Sequence, residues 1–121
     1  MLTVAVALAA GGGAVLRYVV DQLVGHRTRG DFPYGTVVIN VSGSFLLGLV
    51  TGLALHHGLG STATVVIGTG FAGGYTTLST WAWETLALAE TGDVLKASVN
   101  VLGSFAAGIA AAAAGLALAL L

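Results

Sequence analysis

Four long apolar stretches, separated by short polar segments, occupy almost the whole of this 121-residue chain. Only 7% of the residues are charged, whereas a soluble domain carries about 25% because its surface must stay hydrated. A helix needs about 20 mostly apolar residues to cross the hydrocarbon core of a bilayer. The sequence therefore predicts an all-α integral membrane protein of one domain, with four transmembrane helices at about residues 2–20, 34–55, 62–90 and 97–121.

The composition excludes several classes of function. The chain contains no cysteine, which rules out disulfides and thiolate metal sites. Its net charge is −1, and it has no basic patch of the kind that binds nucleic acid. No nucleophile–base pair, carboxylate pair or phosphate-binding loop is visible, so we expect no enzymatic activity. The N-terminal apolar stretch lacks the basic region of a secretory signal, and we expect it to be retained as the first span.

The second and fourth predicted helices share a sequence pattern. Six of nine positions are identical between residues 40–48 and 100–108. Asn40 and Ser44 therefore share one face of the second helix, and Asn100 and Ser104 share one face of the fourth. Such pairs either hydrogen-bond neighbouring helices, at about 0.6 kcal/mol per contact, or line a path that replaces the hydration shell of a small anion. Two matched pairs favour the second interpretation.

The third predicted helix contains a stretch that is poorly suited to a continuous helix. Gly73 and Gly74 are followed by five hydroxyl-bearing side chains within residues 75–80, a composition of low helix propensity. The alternative is a kink whose hydroxyls bond the preceding turn, but the density of glycine and hydroxyl residues favours a break in mid-membrane. Such a break exposes carbonyls that can hold a cation and N–H groups that can hold an anion.

Three further side chains within these spans have two interpretations each. Glu84 follows the predicted break by about two turns, where it is either structural or hydrated in a vestibule. For Arg17 we expect a structural role, at the membrane interface or paired with Asp21. Trp81 shares a helical face with Thr77 and is either an interfacial anchor or an aromatic edge presented to an anion.

Three blocks of the sequence resemble the small fluoride-channel family, known as Fluc or CrcB. The blocks are Gly12–Tyr18, Gly35–Gly48 and Gly70–Glu84. Together with the region around Ser104, the resemblance covers nearly the whole chain. The resemblance implies passive, channel-type export of fluoride from the cytoplasm across the plasma membrane, through two pores in an antiparallel dual-topology dimer. It also implies a structural Na⁺ on the dimer axis, held by the backbone carbonyls of Gly73 and Thr76.

The same resemblance implies which residues line the pores. They are Asn40, Ser79, Thr80 and Ser104, with Glu84 as a vestibule carboxylate. The family's two phenylalanines fall on Leu78 and Trp81 here, and a tyrosine often found on the fourth helix is Asn100. Together with Ser44 and Thr77, which the helical faces place beside them, these residues form the predicted fluoride-binding set.

Positive charge in the loops lies on one side of the predicted membrane, because Arg27, Arg29 and Lys96 all fall in the first and third loops. The positive-inside rule then predicts a preferred orientation with both chain ends outside, whereas a dual-topology protein shows little bias. The partner in the dimer is therefore either a second copy of this chain or an oppositely oriented paralogue.

Two other functions are compatible with four membrane helices. A small proton-coupled multidrug-type exporter needs a titratable carboxylate deep in the membrane, typically on the first helix, and this helix has none before Asp21. A non-transporting membrane assembly subunit would need neither the Asn-Ser pairs nor a broken third helix.

Overall fold

The computed structural model describes all 121 residues, and it consists of helices joined by short turns. In chain order these are α1 (Leu2–Arg27), α2 (Tyr34–His56), α3 (Ser61–Thr64), a π-helix (Val65–Ala72), α4 (Gly73–Tyr75), α5 (Leu78–Glu90) and α6 (Val94–Leu118). Three of them, α1, α2 and α6, are long and apolar enough to cross a membrane. The predicted all-α membrane fold is confirmed, with three of the four predicted spans present as single helices of membrane-spanning length.

The helical segments between α2 and α6 form two pieces. A continuous helical run covers residues 61–75, and α5 follows after an extended pair, Thr76 and Thr77. The first piece includes a π-helix over Val65–Ala72, in which each N–H reaches the carbonyl five residues back. No feature of the sequence predicts the π-helix. The interruption itself falls in the stretch where glycines and hydroxyl residues are densest.

Several helix ends differ from the sequence estimate, most of all the end of α1. Helix α1 continues to Arg27, because no proline interrupts it, and it ends where Thr28 becomes extended. Helix α6 begins at Val94, because Asp93 caps its N-terminus by accepting a hydrogen bond from the backbone N–H of Lys96 at 3.0 Å.

A charged cluster joins two loops at one end of the bundle. The Lys96 ammonium lies 2.9 Å from carboxylate oxygens of both Asp31 and Asp93, and this contact holds the pKa of each aspartate below its usual value. The loop after α1 and the loop before α6 therefore meet. At the opposite end, the His57 ring lies 2.7 Å from the carbonyl of Ala119, which brings the turn after α2 to the C-terminus of α6.

Close helix packing depends on glycine at a few positions. On α2 and α6, a Cβ at Gly48 would overlap the carbonyl of Ala112, and a Cβ at Gly115 would overlap the carbonyl of Phe45. A Cβ at Gly13 of α1 would overlap the carbonyl of Phe71. Because these neighbours are backbone atoms, the helices approach as closely as their main chains allow, which is the packing expected between membrane helices.

Candidate functional site

The extended pair Thr76–Thr77 is the centre of the candidate site. Thr76 has φ −76° and ψ 160°, and Thr77 has φ −146° and ψ 122°. The Thr77 hydroxyl caps α5 by accepting from the backbone N–H of Thr80 at 3.2 Å, and it donates to the Thr80 hydroxyl at 2.9 Å. The second helical piece therefore starts with its own capping residue, as a separate helix does.

Side chains from α1 and α2 bind the backbone of this pair. The Asn40 amide donates to the carbonyl of Thr77 at 2.9 Å and accepts from the N–H of the same residue at 2.9 Å. The Arg17 guanidinium donates to the carbonyl of Thr76 at 3.1 Å. Arg17 thus has the structural role expected of it, but the alternative of an ion pair with Asp21 is not found, since both ion pairs of the protein involve Lys96.

A groove of about 450 Å³ runs along the break between α2, α5 and α6. It brings together six members of the predicted fluoride-binding set, namely Asn40, Ser44, Thr77, Leu78, Trp81 and Ser104. The remaining lining is largely apolar and includes Leu47, Phe105 and Ile109. The groove is thus mostly apolar, with a few neutral hydrogen-bonding groups, and no carboxylate lines it.

An aromatic pair forms part of the α5–α6 wall of the groove. The rings of Trp81 and Phe105 meet edge to face, with centroids 5.7 Å apart and an interplanar angle of 74°. The Trp81 indole N–H donates to the carbonyl of Asn100 at 3.3 Å, so its orientation is set from α6. Phe105 was absent from the predicted set because nothing in its local sequence shows that it would face Trp81.

The two Asn-Ser pairs, similar in sequence, have different environments. Ser44 donates to the backbone carbonyl of Asn40 at 2.8 Å. Ser104 instead donates to the side-chain oxygen of Asn100 over a longer distance, 3.4 Å. Asn100 is fully buried and donates to the Thr85 hydroxyl at 2.8 Å. It therefore links α6 to α5 and is not among the residues that line the groove.

Three other predicted residues lie beside the groove without lining it. Ser79 and Thr80, on the first turn of α5, are exposed on the surface of the single chain. Gly73 is also exposed, and a Cβ added there would meet open space. The predicted cation ligands thus differ in environment, because the carbonyl of Thr76 already accepts from Arg17.

Glu84 lies about one helical turn after Thr80 on α5. Its Oε1 accepts from the hydroxyl of Thr36 at 3.0 Å, and Thr36 is almost fully buried. Its Oε2 is buried and has no hydrogen-bond partner. Sequence reasoning missed Thr36, together with a contact of 2.8 Å between the hydroxyls of Ser42 and Tyr75 that ties α2 to the end of α4. A threonine or serine on a membrane helix is a weak signal, because its hydroxyl can always bond its own backbone.

Residues 4–116 match the family described as CrcB-like protein, Camphor Resistance (CrcB). The chain belongs to this family. Among similar proteins, the fluoride-specific ion channel FluC 1 of Leifsonia xyli subsp. xyli is 46% identical over 116 residues, which are 96% of this chain and 85% of that protein. The fluoride-specific ion channel FluC 2 of Mycobacterium tuberculosis is 44% identical over 112 residues, covering 93% and 86% of the two chains.

A third relative, the fluoride-specific ion channel FluC 1 of Streptomyces avermitilis, is 47% identical to this CrcB-family chain over 103 residues, covering 85% and 83% of the two chains. The resemblance drawn from the three sequence blocks is therefore confirmed. These relatives are named as ion channels, and the expectation that the chain is not an enzyme is confirmed with them. Together with the membrane-length helices, the family identifies an integral membrane protein.

Proposed function

We propose that this protein is a subunit of a fluoride-selective channel that lets fluoride leave the cytoplasm passively across the plasma membrane. The observation that carries the proposal is the groove, which gathers six of the predicted fluoride-binding residues along a broken helix. Relatives that share over 40% of their residues with the chain are named fluoride-specific ion channels. A path lined by neutral donors suits an ion that must enter and also leave.

The lining supplies several groups that can replace the water around a small anion. The Asn40 amide uses one of its two hydrogens on Thr77, which leaves the second available to the groove. The hydroxyls of Ser44 and Ser104 each donate to another acceptor, so each must rotate to donate to an anion. The 3.4 Å bond of Ser104 is the weaker of the two and is the easier one to exchange for fluoride.

Aromatic ring edges carry partial positive charge, and they extend the same surface without adding a fixed charge. Trp81 and Phe105 lie together on the wall of the groove. Leu78 contributes only methyl groups beside them. In our proposal, the edges of this aromatic pair face the passing anion where the family's two phenylalanines would face it.

The pore is completed, in our proposal, by a second chain of opposite orientation. A single chain leaves the polar side chains of Ser79 and Thr80 and the backbone of Gly73 exposed, and an exposed polar group in hydrocarbon costs several kcal/mol. A partner that covers this surface would remove that cost. Glu84, beside Thr36, takes the vestibule position at the mouth of the pathway.

The family resemblance also implies a structural Na⁺. The break in this chain offers two backbone carbonyl oxygens as part of the ligand set for such an ion. The N–H of Thr77, which a continuous helix would direct to the carbonyl of Gly73, is bound by Asn40 instead. The Gly73 carbonyl therefore lacks its helical partner, on an exposed residue, and a hard cation prefers oxygen ligands of this kind. The Thr76 carbonyl keeps one lone pair beyond its bond to Arg17. These two carbonyls from each chain would hold the ion, which would fasten the dimer.

The partner is either a second copy of this chain or an oppositely oriented paralogue. The contact between Lys96 and Asp31 places the first and third loops at the same end of the bundle, so the loop charges Arg27, Arg29 and Lys96 share that end. This asymmetry favours a fixed orientation and therefore a paralogous partner.

Fluoride efflux from liposomes that contain the purified chain tests the proposal. We expect fluoride efflux that is electrogenic and needs no proton gradient, with chloride efflux as the control for selectivity. Efflux that requires a proton gradient would instead identify a proton-coupled exporter. If the chain alone gives no flux and an oppositely oriented paralogue restores it, the heterodimer is the functional form. No flux with either partner would leave a non-transporting assembly subunit.

A further inference from the structure

The amide of Asn40 and the backbone of Thr77 form a two-point contact. Thr77 is extended, and Asn40 both donates to its carbonyl and accepts from its N–H, each at 2.9 Å. Two residues of a hydrogen-bonded pair in an antiparallel sheet exchange the same two bonds. A single side chain thus takes the place of a neighbouring strand at a point where the chain has left the helix.

The peptide group between Thr76 and Thr77, whose N–H Asn40 binds, is also held from α1 through its carbonyl. The Thr80 N–H, which would bond the Thr76 carbonyl in a continuous helix, goes to the Thr77 hydroxyl. The Thr76 carbonyl accepts from the Arg17 guanidinium at 3.1 Å, a charge-assisted bond that is stronger than a neutral one. Arg17 also places a positive charge beyond the end of the helical run 61–75, where the helix dipole favours it.

A glycine on each supporting helix lets that helix approach the break closely enough for the polar side chains to reach it. Gly13 lies four residues before Arg17 on α1, and its Cα lies against the backbone of Phe71 and Tyr75. Gly43 lies three residues after Asn40 on α2, against the side-chain methyl of Thr76. Residues at these spacings share a helical face, so each helix presents a close-contact glycine and a polar side chain to the same break.

We infer that Asn40 is a positioning residue, which holds the peptide groups of Thr77 in the extended conformation that shapes the groove. This role rests on the proposed channel function and is separate from any direct contact of Asn40 with fluoride. The two-point contact with Thr77 needs a side chain that carries one donor and one acceptor at equal distances from its own backbone. Leucine has similar size and neither group, whereas aspartate in its protonated form, which burial favours, keeps an acceptor for the Thr77 N–H and an O–H donor for the Thr77 carbonyl. Backbone exchange at Thr77 therefore reports the role without any measurement of flux.

Hydrogen–deuterium exchange of the full-length protein in lipid nanodiscs tests the inference, resolved at Thr77 by overlapping fragments. In the unmodified protein we expect the Thr77 amide to exchange as slowly as helical amides of α5, although Thr77 belongs to no helix. Exchange as fast as that of the loop residues Arg29 and Gly30 would overturn the inference without any variant.

Two variants and a matched control sharpen the test. We expect Asn40→Leu to raise the exchange rate at Thr77 at least tenfold, whereas Asn40→Asp keeps it within a few fold of the original rate. Ser44→Ala is the control, because Ser44 lines the same groove but bonds only its own helix; it should leave Thr77 exchange unchanged. If Asn40→Leu abolishes fluoride efflux while Thr77 exchanges at its original rate, Asn40 acts only on the anion and the inference is wrong. Absence of efflux in the unmodified protein would contradict the proposed function, and the Thr77 rates would still decide this inference.

Discussion

The packing of α2 against α6 can be tested with one methyl group. In Gly115→Ala the new Cβ would overlap the carbonyl oxygen of Phe45 and lie 2.8 Å from the backbone nitrogen of Leu49. Both neighbours are main-chain atoms of α2, so no side chain can rotate away, and the two helices have to separate. These helices also carry Asn40 and Ser104 on facing walls of the groove, which ties the packing to the site.

The expected cost follows from the kind of atoms that collide. Inserting a methyl group into a well-packed contact costs about 1–3 kcal/mol when backbone must shift. The matched control is Gly103→Ala on the same helix, where the nearest atom to the new Cβ is a methyl carbon of Val99 at 3.9 Å. That distance is an ordinary contact, and alanine favours a helix over glycine by up to about 1 kcal/mol. The two substitutions should therefore differ in sign.

The assay is reversible unfolding of the purified protein in mixed micelles, followed by circular dichroism as the denaturing detergent is increased. We expect Gly115→Ala to lower the free energy of unfolding by about 1–3 kcal/mol and Gly103→Ala to leave it unchanged or raise it. Equal stability of Gly115→Ala and the original protein would refute the close approach of α2 and α6. A large loss in Gly103→Ala would show that glycine content as such, and not contact geometry, governs stability.

Two further predictions concern the aromatic wall and the charged loops. Trp81→Leu removes the edge-to-face pair with Phe105 and the indole bond to Asn100, so we expect slower fluoride efflux. Trp81→Phe keeps a ring edge and should retain efflux. Efflux by Trp81→Leu as fast as that of the original protein would show that the ring has no role. Lys96 lowers the pKa of Asp31 and Asp93 in the folded protein. The stability that the two carboxylates contribute is therefore present above their ordinary pKa of 3.8 and is lost as the pH falls through the lower pKa of the folded state. The melting temperature of the original protein should therefore fall more steeply with acidification below about pH 4 than that of Lys96→Met, and parallel curves would contradict the role of this contact.

The helices and the break could be predicted from the sequence because both depend on local composition. A run of apolar residues long enough to span hydrocarbon has few alternatives to a helix, since backbone groups in lipid must be satisfied within the segment. The glycine and hydroxyl residues around Thr76 weaken a helix wherever they occur. The π-helix before the break packs against α1 and is marked by no distinctive residue, so it could not be predicted in this way.

The partners of the polar side chains depend on tertiary geometry and could not be read from spacing. Helical periodicity places Asn40 and Ser44 on one face, and Asn100 and Ser104 on another, but it does not say what each face meets. Asn40 meets an extended peptide group, whereas Asn100 meets a threonine on α5. Arg17 illustrates the same limit, because Asp21 is its neighbour along the helix while the Thr76 carbonyl, 59 residues away, is its partner in the fold.

The reversal potential of the current through a planar bilayer tests the central claim most directly. The purified chain, with its paralogue if the chain alone is silent, is placed in a fluoride gradient with equal chloride on both sides. Our account predicts that the current reverses at the equilibrium potential of fluoride and does not move when a proton gradient is added. Reversal at the chloride equilibrium potential, or a potential that follows the proton gradient, would contradict it.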